Sequence, residues 1–340
     1  VWGTLYSTVN IPYGSMASVM TDDPAERASL STFRTIGMTL AGLVINAVGP
    51  MIVFVDNKAD ADGFFMAAIL FGLLSISCYI ACYKLTTERI VAPAGSAEKM
   101  DLKKTLKGLI KNKPLIAILC ASLIFMMNMM LVGAVNVYLF KDYFSSAGTL
   151  SFVSIAQTIA VLLCAPFIKT LTTKFGKKEM SLVGLLIASA AYFFLFFLKN
   201  IDAMTFIYIS FIGFIGFGLF NTVIWAFVTD VIDYQEYLTD LREDGTVYSV
   251  YSFARKVGQA LAGGIGGFAI AAIGYDASRE VQTDAALNGI HTLATLVPAV
   301  VYLGIFLILL FFYPLNKTRL AKMQEELEAR RGAKESKVIK

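Results

Sequence analysis

The sequence predicts an all-α polytopic membrane protein, and three observations carry that prediction. Of 340 residues, 57% are hydrophobic and 16% charged, with a mean hydropathy of +0.67. An average soluble domain is about 45–50% apolar and about 25% charged. Apolar runs of the length needed to cross a bilayer as a helix recur along the chain. Basic residues gather in alternate loops between those runs, the pattern set by loops that face the cytoplasm. The same numbers exclude a compact water-soluble enzyme. They also exclude a disordered chain, which would be apolar-poor and charge-rich.

Hydropathy places nine spans, taken in order: Val1–Met20, Thr35–Val55, Gly63–Tyr83, Leu115–Phe140, Ser151–Leu171, Met180–Leu198, Met204–Thr229, Val247–Ile273 and Ile290–Pro314. The connection Lys84–Pro114 is the long one. Pro93, Gly95 and Ser96 in it mark a linker. Its segment Asp101–Lys111 sets Leu102, Leu106, Leu109 and Ile110 against Lys103, Lys104, Lys107 and Lys111, an amphipathic helix suited to an anionic membrane surface. The chain thus divides into helices over 1–84, a linker over 85–114, a six-helix bundle over 115–314 and a tail over 315–340. The tail is polar and helix-prone, and reads as a solvated helix without chemistry.

Of the 29 basic residues, 23 fall in one set of loops and four in the other, while Arg255 and Lys256 lie inside a span. The excess puts the first set, and the C-terminus, in the cytoplasm of a cell with this chain in its plasma or inner membrane. Val1 then starts outside, which implies an odd number of spans upstream. The absence of an initiator Met agrees. The four cysteines, Cys78, Cys82, Cys120 and Cys164, sit in apolar runs without metal-ligand spacing, so neither a disulfide framework nor a zinc site is indicated. The single histidine, His291, opens an apolar run and reads as interfacial.

Ionisable residues inside a membrane are costly, so each is a functional candidate. Lys256 lies nine residues into its span, about 13–14 Å deep at 1.5 Å per residue. Tyr248, Ser252, Gln259 and Gly263 continue its face, a stripe that suits a watery cavity, and the glycines 263, 264, 266 and 267 allow close approach of another helix or a ligand. The alternative is a lysine paired with a buried acid for packing alone. Asp230, Asp233 and Glu236, followed by Arg242, Glu243 and Asp244, form an acidic cluster at one span end and in the next loop. It is either a solvated loop or a set of ion pairs closing the cytoplasmic side, with Arg27 or Arg242 as partners. Tyr6, Asn10 and Tyr13 share a helix face beside Pro12. Aromatic rings and amides together suit the C–H faces and hydroxyls of a sugar, and ordinary packing glue is the competing reading. Asn128, Asn136, Gln157, Asn221 and Trp225 are weaker candidates of the same kind.

Three stretches together resemble the glycoside–pentoside–hexuronide:cation symporters of the major facilitator superfamily, the group of the melibiose and glucuronide permeases. One is Asn10 to Ser15 with Thr21 to Arg27 and Arg34. The second is Trp225, Ala226, Asp230, Asp233, Tyr234, Glu236, Thr239, Arg242 and Gly245. The third is Tyr248, Ser249, Phe253, Lys256, Gly258, Gln259 and Ala260. Lys174-Phe-Gly-Lys-Lys178 is similar to a basic loop of the superfamily. The resemblance implies twelve helices in two bundles, of which this chain holds the fourth to the twelfth. It implies symport of a glycoside, pentoside or hexuronide, glucuronide-like in having Asn10 where an acid is common, coupled to H+ or Na+. It implies sugar contacts at Asn10 and Arg34, to which the residues' own chemistry adds Tyr6, Tyr13, Asn128, Trp225, Tyr248 and Ser252; it implies a cation-coupling role for Asn10 and Lys256, and, with the acidic cluster, gate ion pairs among Arg27, Asp230, Asp233, Glu236, Arg242 and Asp244. Expected partners are the sugar, the coupling cation and the lipid bilayer, with no nucleic acid, no metal and no cofactor beyond the coupling ion. Rival readings on the same fold are a carrier of lipid or another solute, and a transport-inactive sensor. An enzyme is not indicated, because no catalytic cluster is visible.

Overall fold

Helices occupy all nine predicted stretches in the computed structural model, which describes residues 2–55, 58–59, 61–89, 109–146, 149–199, 201–279 and 281–338. They are α1 (Trp2–Met20), α2 (Pro24–Val53), α3 (Ala61–Leu85), α4 (Lys113–Tyr138), α5 (Leu150–Phe175), α6 (Lys177–Phe197), α7 (Ala203–Thr239), α8 (Asp244–Ala272) and α9 (Asp284–Phe312), followed by a tail helix α10 (Lys317–Val338). Seven of them are long and apolar enough to cross a membrane. The two outside that set, α1 and α8, carry Asn10 and Tyr13 on one and Arg255 and Lys256 on the other. A two-residue ladder pairs β1 (Phe54–Val55) with β2 (Lys58–Ala59) between α2 and α3, a small departure from the all-α expectation. The amphipathic segment Asp101–Lys111 falls, up to residue 108, outside the described residues.

Several helices run past the predicted span ends. α2 begins at Pro24, so Arg27 and Arg34 sit on the helix rather than in a loop. α7 continues to Thr239, so Asp230, Asp233 and Glu236 occupy its last turns. The physical reason is that hydropathy ends at the first charges, whereas helical hydrogen bonding does not. The ends are held by specific groups. Pro24 opens α2 without needing a partner for an N–H it lacks. Asn112 caps α4 by accepting from the Leu115 N–H at 2.9 Å. Asp202 caps α7 by accepting from the N–H groups of Met204 and Thr205 at 3.1 Å. Asp240 closes α7 in the left-handed region.

α6 and α7 pack along their length, as do α4 with α8, α9 with α6 and α4, and α5 with α7. The α6–α7 crossing is tight because Gly184 and Gly216 face each other backbone to backbone. Phe125 stacks on Phe217 at 5.3 Å and meets Phe220 edge-on at 5.2 Å, filling the middle of this bundle. His291 is buried among helix ends, stacked on Tyr143 at 5.2 Å.

α2 packs on α5 and α7, and α1 on α8 and α7, so the first helices meet the six-helix bundle along those faces. α3 buries only Gly63 and Ala67 among its described side chains.

The tail is not a free solvated helix. Leu320, Met323 and Leu327, spaced three and four apart, are buried and α10 packs on α7. Residues at that spacing share one helix face, and burial of apolar side chains there secures the tail.

Candidate functional site

The α1 face of Tyr6, Asn10 and Tyr13, with Arg34 of α2 and Trp225 of α7, lines a cavity of about 700 Å³ between α1, α2, α3 and α7. No aspartate or glutamate is among its described lining residues. Arg34 is the hub. Its guanidinium carbon lies 3.7 Å from the Trp225 ring centroid and 4.9 Å from that of Tyr13, and its Nη2 donates to the Tyr248 hydroxyl at 2.9 Å. That hydroxyl in turn donates to Asn10 Oδ1 at 3.4 Å. Tyr248 is fully buried and its ring runs nearly parallel to Trp225 at 6.1 Å. It reaches Asn10 because Gly14 has no side chain, and a Cβ there would collide with its phenol ring. The result is a wall of aromatic faces, an amide and a guanidinium, which can meet both the C–H faces and the hydroxyls of a polar ligand.

Arg255 joins this group from α8, with its guanidinium carbon 4.6 Å from the Trp225 centroid and Nη2 3.4 Å from Met126 Sδ. No role was expected of it. The signal was present, since it lies as deep in the span as Lys256. The other sequence candidates disperse. Lys256 is on the exposed side of α8 with its ammonium 4.5 Å from the Tyr6 ring centroid. Ser252 is half-buried on the same side. Asn128 is 3% exposed inside the six-helix bundle beside Tyr302 and does not reach the cavity, because α4 turns that face toward α9. Of the glycines 263, 264, 266 and 267 expected to allow close approach, Gly266 lies against Ala134 of α4 at ordinary contact distance, and the other three meet no other helix among the described residues. Gly258, against Leu123 O of α4, provides it instead.

Below the cavity the charged end is a buried network. Arg27, only 1% exposed, pairs with Asp233, with Asp230 at 3.8 Å and with Asp22 at 3.4 Å. Arg242 meets Glu236 and Asp244 at 2.9 Å and Asp233 at 3.5 Å. It also donates to Ser18 O at 2.7 Å, tying α7 and α8 to the end of α1. All six residues expected as gate pairs are therefore together: Arg27, Asp230, Asp233 and Glu236 are buried on helices, while Arg242, on the loop between α7 and α8, and Asp244 are half-buried. Buried pairs carry higher stakes than exposed ones, because removing one partner strands a charge.

Two further cations complete the network. Lys177 at the start of α6 binds Asp230 at 2.6 Å, though its sequence context reads only as an orientation charge. Arg331 of the tail grips Glu236 with two bonds, at 3.0 and 2.6 Å, and Asp22 at 3.1 Å. Burial works against the Arg331 charge, but Glu236 and Asp22 outweigh it and push its pKa above the ordinary value. The spacing Leu320, Met323, Leu327, Arg331 could have revealed the residue, since it continues the buried face of the tail by one turn.

A profile of the family described as MFS/sugar transport protein matches residues 1–317. The glucuronide carrier protein homolog of Escherichia coli K12 is 30% identical over 97% of this chain and 71% of its own length. The isoprimeverose transporter of Lactiplantibacillus pentosus is 31% identical over 95% and 67%. The uncharacterized symporter YjmB of Bacillus subtilis 168 is 32% identical over 96% and 71%. These relatives are transporters, not enzymes. With its membrane-length helices and this match over nearly its whole length, the chain is a multi-pass membrane protein that belongs to the MFS/sugar transport family, among the glycoside–pentoside–hexuronide:cation symporters.

Proposed function

We propose that the chain forms the fourth to twelfth helices of a twelve-helix symporter that moves a glycoside, pentoside or hexuronide together with H+ or Na+ by alternating access. Residues 1–84 belong to one bundle and 115–314 to the other, in the plasma or inner membrane, with the tail in the cytoplasm. The observation that carries this reading is the stacking of a cavity on a network. The Arg34–Tyr248–Asn10 relay over Trp225 joins both bundles at the cavity. The Arg27, Arg242 and Arg331 pairs join them again below it. Sugar held at the cavity wall and a cation near Asn10 and Lys256 favour the switching state together more than either alone, which is a coupling free energy. The charged network must part for release toward the cytoplasm.

Counterflow of a labelled glycoside into vesicles bearing the full-length protein tests the reading, with and without a sodium or proton gradient. Lys256→Ala should abolish gradient-driven uptake while membrane insertion stays intact. Uptake by that variant at the wild-type rate would remove Lys256 from the coupling.

A further inference from the structure

Where the tail leaves the six-helix bundle, basic side chains gather on one rim. Lys174 stands in the last turn of α5, Lys178 in the first turn of α6, and Lys317 and Arg319 at the start of α10. The helix ends are stitched together by their own lysines. Lys317 Nζ donates to Thr173 O at 2.6 Å and Lys174 O at 3.3 Å, and its Cβ lies against Gly176. Lys178 Nζ donates to Tyr313 O at 2.6 Å and Leu310 O at 3.2 Å, at the end of α9. Arg319 makes a long bond to Pro314 O, at 3.5 Å, and its charge repels that of Lys178. These surroundings differ from those of the buried network, where Arg27, Lys177, Arg242 and Arg331 each meet a carboxylate within 4 Å. Among the described residues, Lys174, Lys178, Lys317 and Arg319 meet none. Glu179, next to Lys178 in the chain, leaves its Oε2 without a hydrogen bond. Lys178 and Lys317 are engaged by the carbonyls that close α9 and α5. Lys174 and Arg319 are exposed and keep most of their donors free of protein partners.

The level of this rim says what it faces. The membrane-length helices α5 and α9 end at Phe175 and Phe312, and α6 starts at Lys177. Phe175, Phe311 and Phe312 are 50%, 72% and 67% exposed, so large rings uncovered by protein border uncovered cations. We infer that the rim binds the headgroup of an acidic phospholipid, with Arg319 and Lys174 on its phosphate and the exposed phenylalanines along its acyl chains. The residue types suit that ligand. A guanidinium presents a planar fork that matches two phosphate oxygens at once, and an ammonium adds a point charge. The N-termini of α6 and α10 open at the same place, and their partial positive charge favours an anion there. A soluble anion would use the cations and leave the rings in water, whereas a lipid satisfies both. Basic pockets beside membrane helices take such headgroups, at about 1 kcal/mol, or about fivefold in affinity, for each basic residue near the surface. The inference concerns the lipid at the root of the tail and holds whichever solute the cavity carries.

The test uses full-length protein in detergent, titrated with phosphatidylglycerol or with phosphatidylcholine of the same acyl chains, and counts bound lipid by native mass spectrometry. Two free cations at about fivefold each predict a first phosphatidylglycerol held about 25-fold more tightly than phosphatidylcholine. In the double variant Lys174→Gln, Arg319→Gln that preference should fall to about fivefold or less. A second double variant, Lys111→Gln, Lys113→Gln, removes two exposed cations at the start of α4 and should keep the wild-type preference. Equal affinity of the wild type for both lipids overturns the inference. So does a preference unchanged in the first double variant. An equal loss in both double variants also overturns it, since a diffuse positive field rather than this rim would then hold the lipid. Should the first double variant fail to insert, Arg319→Gln alone decides, with a preference about fivefold below wild type expected and an unchanged one fatal.

Discussion

Replacing Arg27 by methionine should unlock the charged end, and the size of the effect follows from its surroundings. The side chain is 1% exposed, and Asp233, Asp230 and Asp22 all lie within ion-pair distance. Asp230 keeps Lys177, but Asp233 loses its buried hydrogen-bonded partner and keeps only the longer ion pairs with Arg242 at 3.5 Å and Arg331 at 3.7 Å. Removing one member of a buried pair costs about 3–5 kcal/mol. In a parted network water solvates the same groups, so the cost falls on the closed arrangement. The opening equilibrium should therefore shift by about a hundredfold to several thousandfold. Cys82, half-buried in the cavity wall, reports it. With the other cysteines of the full-length protein changed to serine, a membrane-impermeant maleimide supplied from the charged end should label Cys82 faster in Arg27→Met. Adding Asp233→Asn should return the rate toward wild type, because neutralising both members of a buried pair costs far less than removing one. A rate within about twofold of wild type in Arg27→Met, or no rescue by Asp233→Asn, would refute the reasoning.

Three further outcomes are expected. Gly14→Ala should displace the Tyr248 ring from Asn10 and Arg34, so glycoside affinity measured by counterflow drops while expression and thermal stability stay near wild type. Gly216→Ala should do the reverse. Its methyl would meet Gly184 O and, at 2.7 Å, Ala188 N, backbone atoms that cannot swing aside. Overpacking of this kind costs about 1–3 kcal/mol, visible as a lowered melting temperature in detergent. Asp202→Ala should lower the melting temperature at neutral pH. The Thr205 hydroxyl and N–H hold the Asp202 carboxyl below its ordinary pKa, so its contribution is complete above the unfolded-chain value and is lost as pH falls through the depressed one. The gap between variant and wild type should close in acid, and a gap that persists there would show that the cap acts through something other than its charge.

The helices themselves were legible because lipid-length apolar runs are a strong signal, and each predicted run is helical. Their ends were not, because the residues that terminate a hydropathy window are the ones this fold buries. Arg27, Asp230 and Asp233 look like loop charges until their partners from other helices are in place. The spacing of Tyr6, Asn10 and Tyr13 marked one face, and that face does line the cavity. Asn128 faces Tyr302 of α9 rather than the described cavity, a placement that only packing decides. Arg255 and Lys177 were overlooked for opposite reasons. One stood beside a more conspicuous lysine, and the other stood in a basic loop whose charges explain orientation well enough alone.

The tail gives the molecule a property that belongs to measurement. Arg331 holds Glu236 of α7 and Asp22 of the α1–α2 loop at once, and Gln324 adds a bond to Asp22 O at 2.7 Å. Any parting of those two anchors must break the tail's hold on at least one of them. The turns of α10 around Arg331 therefore link the charged network to the outside of the protein. Ala329 lies there exposed, away from the cavity. A spin label or dye at that position, in otherwise unmodified protein, would report any such parting from the surface and leave every cavity-lining side chain untouched.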